Sequence, residues 1–189
     1  MIVRFCLAAA LAAAALPASG QAPDVTALQA QQREAMGAFA RLDGIWRGRA
    51  WTMTPNGRHE IVQTERIGTF LDGTVRMIEG RGYNADGTVG FNALGVISYD
   101  PRTRRYMLNS WAQGRAGGFE IRPTADDYVW EVPAGAGAII RYTATINAGQ
   151  LREVGQRIAG DAAPVQIFEM NLRRVGNTGW PGEGAVPRQ

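Results

Sequence analysis

Turn signals recur at short intervals from Asp43 to Val175, and no long helical pattern separates them. Pro55-Asn56-Gly57, Asp72-Gly73, Asn84 to Gly87 and Asp100 to Thr103 each close a run with two-residue periodicity. The runs they delimit are Ile45–Thr54, His59–Leu71, Thr74–Tyr83, Thr88–Tyr99 and Arg105–Gln113. Gly114 to Gly118 is read as the next turn. Phe119–Arg122, Tyr128–Val132, Ile139–Asn147, Leu151–Ile158 and Val165–Val175 follow as further strands. Ten strands joined by hairpin-sized turns make an antiparallel meander, because a parallel pair needs a crossover of a dozen or more residues. So long a meander must curl, and closing into an up-and-down barrel removes its exposed edges. The expectation is all-β: an antiparallel lipocalin-like barrel of about ten strands, preceded by one helix.

The helix occupies Asp24 to Leu42. Asp24 or Thr26 caps it, and Val25, Leu28, Gln32, Ala35, Met36 and Phe39 recur at three- and four-residue spacing. Upstream, Arg4 precedes twelve apolar residues, Phe5 to Leu16, and then Pro17-Ala18-Ser19-Gly20. That is the anatomy of a secretory signal peptide, too short to span a bilayer. Cleavage after Gly20 is expected, with export to the periplasm or beyond. Cys6 would leave with the signal, so the mature chain would have no disulfide. The chain thus divides into a signal peptide (1–20), a helix and linker (21–43), a barrel (44–175) and a flexible tail (176–189) with Trp180 as its one anchor.

Composition removes several chemistries. Of 189 residues 20 are basic, and all of these are arginine. Without lysine there is no Schiff-base chemistry and no P-loop lysine. One histidine, His59, and one cysteine cannot build a Cys/His zinc site. A net charge of +3, with arginines interleaved among acids, does not gather the basic face that nucleic acid needs. No metal, no cofactor and no nucleic-acid partner is expected, and the protein is read as a monomer or weak dimer without an integral membrane segment.

Gly44-Ile45-Trp46, after a helix and at the head of the first strand, resembles the Gly-x-Trp that opens lipocalin-type barrels. In those barrels the tryptophan closes one end of the core beneath an arginine of the last strand, a role that Arg173-Arg174 can match here. Leu42-x-Gly44-x-Trp46-x-Gly48, Leu94 to Pro101 leading to Tyr106 and Trp111, and Phe168-Glu169-Met170 resemble a secreted bacterial family, domain of unknown function 1579. That resemblance implies a lipocalin-type barrel and no established activity. More distantly the chain is similar to haem-binding barrels of the nitrobindin type, whose iron is held by a histidine on the last strand. Here Val165 to Asn171 carries none, His59 lies beside a turn, and Met170 is a weak substitute, so the resemblance does not bring haem with it.

The candidate ligand-binding residues are Trp111, Asn109, Arg141, Tyr142 and Trp46. Trp111 shares a strand face with Asn109 and Gln113, opposite Tyr106, Leu108, Ser110 and Ala112. Either face can be the inner one, and an aromatic among amides suits a lining that packs and orients a ligand. Arg141-Tyr142 and Arg152-Glu153 fall on adjacent late strands. An inward arginine would hold a ligand carboxylate, whereas an outward one would pair with glutamate on the surface. Trp46 reads as core and as a possible ligand contact. Asp126-Asp127 reads as turn chemistry. Glu60 and Glu65 are an odd number apart, so a regular strand sends them to opposite faces. No catalytic residue is assigned. Three functions remain open: a barrel binding a small apolar ligand, an enzyme using Asp, Glu or Tyr at the barrel mouth, and an interaction module with a filled barrel.

Overall fold

The computed structural model describes residues 24–181. The expected signal peptide, and the tail beyond Pro181, lie outside the described residues. Asp24 caps helix α1 (Val25–Met36), its carboxylate accepting from the Thr26 and Ala27 backbone N–H groups. The chain then tightens into a 3₁₀ segment over Gly37–Leu42. Met36, Phe39 and Leu42 are spaced by three residues, which puts all three on one side of a three-residue turn, and all three are buried.

Ten antiparallel strands follow: β1 (Gly44–Thr54), β2 (Gly57–Phe70), β3 (Val75–Tyr83), β4 (Val89–Asp100), β5 (Arg105–Ala112), β6 (Arg115–Pro123), β7 (Asp127–Pro133), β8 (Ile139–Asn147), β9 (Gln150–Ile158) and β10 (Val165–Gly176). Each pairs with its sequence neighbours, and β10 returns to β1 to close the barrel; β6 and β7 pair only over Ile121–Pro123 and Tyr128–Trp130. The closing register sets Ala50 opposite Met170 and Gly48 opposite Leu172. The up-and-down barrel read from the turn spacing is the fold observed.

One strand begins earlier than its sequence suggests. Gly114 to Gly118 is not a loop: the turn is Gln113-Gly114 alone, both at positive φ (51° and 75°), and Arg115 already pairs with Ala112. Such a turn matches the twist of a two-residue hairpin. The small residues after it belong to β6, and Gly117 leaves space for the Phe119 ring, whose edge lies 2.6 Å from where a Cβ would stand.

The helix and its 3₁₀ extension plug one end of the barrel. Phe39 meets Tyr106 edge-on with ring centroids 5.3 Å apart, and the Tyr106 hydroxyl donates to the Ala35 carbonyl. Arg76 reaches up from β3 and donates from Nε and Nη2 to both carboxylate oxygens of Asp43, at 2.6 and 2.9 Å. Its Nη1 donates to the Met36 carbonyl. Arg41 adds donations to the carbonyls of Ile146 and Asp126 and an ion pair with Asp127. Trp46 lies fully buried above this plug, its indole N–H donating to the Leu42 carbonyl at 2.7 Å. The expected cation–π lid is replaced by a different contact: Arg174 donates from Nη2 to the Asp43 carbonyl instead. Among the described residues, the cation–π pairs are Arg58 over Trp51 and Arg66 over Trp180.

The last described residues fold back on the outside of the barrel. Trp180 lies edge-on to Phe70 at 5.6 Å, and it rests with Thr178 against Gly68.

Candidate functional site

Among the described residues, the opposite end of the barrel, where the β1–β2, β3–β4, β5–β6, β7–β8 and β9–β10 hairpins turn, carries no plug. From there a cavity of about 520 Å³ runs inward, within the size range of small-molecule sites. His59, Thr52 and Gln113 stand at its mouth, all exposed. Ile61, Ile97, Leu108, Ile121 and Met170 give it apolar walls. One side is aromatic: Trp130 stacks on Tyr142 with centroids 4.4 Å apart, and Phe168 meets Tyr142 edge-on at 5.7 Å.

Two carboxyl groups lie deep inside. On β2 the inward positions run His59, Ile61, Gln63, Glu65 and Ile67, so Glu65 stands roughly 20 Å along the strand from the mouth. Glu65 is 8% exposed and Gln63 3%. The Gln63 amide donates from Nε2 to Glu65 Oε1 at 2.6 Å, while Oε2 is buried with no partner. Burial pushes the Glu65 carboxyl up to about 8, with smaller contributions from the negative charges of Glu153 and Glu79; the Gln63 amide opposes the shift. Glu153 on β9, also 8% exposed, accepts from the Trp130 indole N–H at 2.9 Å. Burial raises its pKa as well, against the hydrogen bonds of Trp130 and Tyr128. Burial likewise holds the Tyr142 phenol up to about 12.

Glycines make room for this cluster. A Cβ at Gly80 would lie 2.9 and 3.0 Å from the two Glu65 oxygens, and one at Gly155 would lie 2.9 Å from the Tyr142 ring. The bare backbone at these two positions lets the polar and aromatic side chains lie flat against the wall.

The five candidate residues separate. Tyr142 lines the cavity. Trp46 is beneath it, in the core that meets the plug. On β5 the inward face is Tyr106, Leu108, Ser110 and Ala112, so Trp111 and Asn109 face outward. Trp111, 48% exposed, borders a shallow outer groove with Leu94, Met77 and Trp180. Arg141 also points outward and donates to Glu131 Oε1 at 2.7 Å, the surface pair of the two alternatives. Arg152 does the same with Glu169, which also accepts from Asn171 and Gln166 and is held down at about 2. Among the described residues, no arginine borders the cavity.

Gln63, Tyr128 and Trp130 are not singled out from the sequence, where Glu65 is weighed only against Glu60 and Glu153 only beside Arg152, with neither assigned to a site. Their signal is one of phase. Gln63 and Glu65 stand in step with Ile61 and Ile67, and Glu153 in step with Leu151, so polar residues interrupt faces that are otherwise apolar. Asp127 is a similar case: it opens β7 with a buried side chain rather than completing a surface turn.

The donor set does not suit a histidine-ligated haem. The inward residues of β10 are Phe168, Met170 and Leu172, and His59 stands out at the mouth.

Fold and site together define a closed ten-stranded barrel, plugged at one end, with an open, largely apolar interior and an acidic polar cluster within it. No family model matches the chain, and no curated protein matches it. Among solved structures it is similar to the crystal structure of Rv2717c from M. tuberculosis, at 16% identity and a TM-score of 0.56. The match covers 74% of this chain and 96% of that one. At that identity the likeness is one of fold.

Proposed function

We propose that the protein is an exported carrier or receptor that holds one small, largely apolar molecule inside its barrel. The cavity is the observation that supports this reading. Barrels of this class can be filled by side chains, yet this one keeps about 520 Å³ open behind a single mouth. The aromatic wall supplies contact area, and the few polar groups fix orientation. Export rests on the residues of the leader, and N-terminal sequencing of the secreted protein should begin at Gln21.

Native mass spectrometry of the protein purified from its own host tests the binding reading. A retained organic mass is expected, together with uptake of the neutral probe N-phenyl-1-naphthylamine that Ser110→Trp blocks. A bare polypeptide mass with no probe uptake would overturn it.

A second reading, an acid–base enzyme, has one observation in its favour. Glu65 holds its proton near neutral pH beside a second carboxyl, the kind of arrangement that lets a side chain donate a proton. The acids lie deep in the barrel rather than at its mouth, so the substrate would have to fit the same cavity. Its mark would be turnover lost in Glu65→Gln with binding retained.

A further inference from the structure

The carrier reading says that the cavity takes an apolar molecule; the polar cluster narrows which kind. Resting on that reading, we propose that the occupant is an amphipathic amine, whose ammonium group sits between Glu65 and Glu153 and whose apolar body lies along Trp130, Tyr142 and Phe168.

Three observations converge on a cation. First, Glu65 Oε2 is buried, unpartnered and on the cavity wall. A buried polar atom without a partner is costly, and an ammonium N–H supplies the donor that Oε2 takes once its carboxyl is ionised. Second, the charges bordering the cavity are of one sign. Glu65 and Glu153 are inside it, while Arg76, the inward arginine nearest the plug, is already spent on Asp43 and Met36. Among the described residues, a carboxylate or phosphate ligand would find no cationic partner there. Third, aromatic rings surround the acids. Tyr128, Trp130 and Tyr142 contribute π faces or edges beside the carboxyls, and buried aromatic groups favour an organic cation over a neutral head of the same size.

The charge balance is internally consistent. The titratable groups that face Glu65 are Glu153 from β9 and Tyr128 from β7, with Glu79 of β3 acting from the outer wall. In the empty barrel burial keeps Glu65 protonated near neutral pH. An arriving ammonium takes over the role of that proton, which leaves to solvent, and the site ends with an ion pair. Binding of an amine therefore releases a proton, and binding of an alcohol does not.

Titration calorimetry with n-octylamine, 1-octanol and octanoate tests this at pH 7, in two buffers of different ionisation enthalpy. Octylamine is expected to bind at least tenfold more tightly than octanol and to release close to one proton, with no detectable binding of octanoate. Glu65→Gln and Glu153→Gln, each confirmed folded by its thermal melt, should bring the amine-to-alcohol ratio toward one by lowering octylamine affinity far more than octanol affinity. Glu65→Gln should also abolish the proton release. Octanol or octanoate binding as tightly as octylamine would overturn the amine assignment and leave the carrier reading standing. A ratio unmoved by either variant would do the same. If none of the three binds and N-phenyl-1-naphthylamine is also refused, both readings fall together.

Discussion

Replacing Glu65 by Gln should stabilise the empty protein, and by an amount set by pH. The substitution keeps the shape and the Oε1 acceptor that Gln63 donates to, and it removes the ionisable group. In the unfolded chain the carboxyl titrates at about 4.5; in the folded barrel burial moves it to about 8. A raised carboxyl pKa favours the folded state fully only below the unfolded value, and that advantage is lost as pH climbs through the folded value. At pH 7 the unfolded chain has ionised Glu65 and the folded one has not. That mismatch, about 2.5 pH units at 1.36 kcal/mol each, amounts to roughly 3 kcal/mol. Above pH 8 the cost levels off near 5 kcal/mol. Urea unfolding of both proteins from pH 4 to 9 reads the difference directly. The two should coincide near pH 4 and diverge by close to one proton's worth of slope between pH 5 and 7.5. A gap that does not change with pH, or a Gln variant less stable at pH 8, would refute the claim that a buried, protonated carboxyl stands on the cavity wall.

Arg76→Ala should cost about 3–5 kcal/mol, because it strands the Asp43 carboxylate and the Met36 carbonyl between barrel and plug; urea midpoints measure it, and Arg76→Lys should not restore the bidentate pair. Asp127→Asn should leave stability unchanged below pH 4 and raise it above pH 6, since burial lifts that carboxyl to about 6 despite Arg41 beside it. Gly80→Ala should destabilise by about 1–3 kcal/mol and weaken octylamine binding, because its methyl group displaces the Glu65 carboxylate. Tryptophan fluorescence should respond to octylamine as strongly in Trp111→Ala as in the unaltered protein, whereas Trp130→Phe should lose most of the response.

Turn chemistry made the strand order legible, since Asn56-Gly57, Asp72-Gly73 and Asp86-Gly87 each mark a place where two extended runs must reverse. Where small residues continue past a turn, as at Ala116-Gly117-Gly118, composition alone cannot tell turn from strand, and the Phe119 ring decides it. The site was harder to see for a different reason. Alternation shows which residues share a face, but β5 offers two plausible faces, and only closure of the ring shows that Leu108 points in and Trp111 out. Glu153 beside Arg152 looks like half of a surface ion pair. Arg152 in fact reaches outward to Glu169, which leaves Glu153 inside with Trp130. Polar residues in step with apolar neighbours were the readable trace of the cavity.

The plug formed by Met36, Phe39 and Leu42 has a kinetic consequence. A ring of strands sealed at one end, whose one incomplete ladder (β6 and β7 part beyond Ile121 and Trp130) opens toward the mouth, is a blind tube. A newcomer has no second door through which to push the resident out, so the resident must depart before another can enter. Exchange is then first-order and indifferent to how much competitor is supplied. For any molecule held inside such a tube, the dwell time is set at the mouth alone.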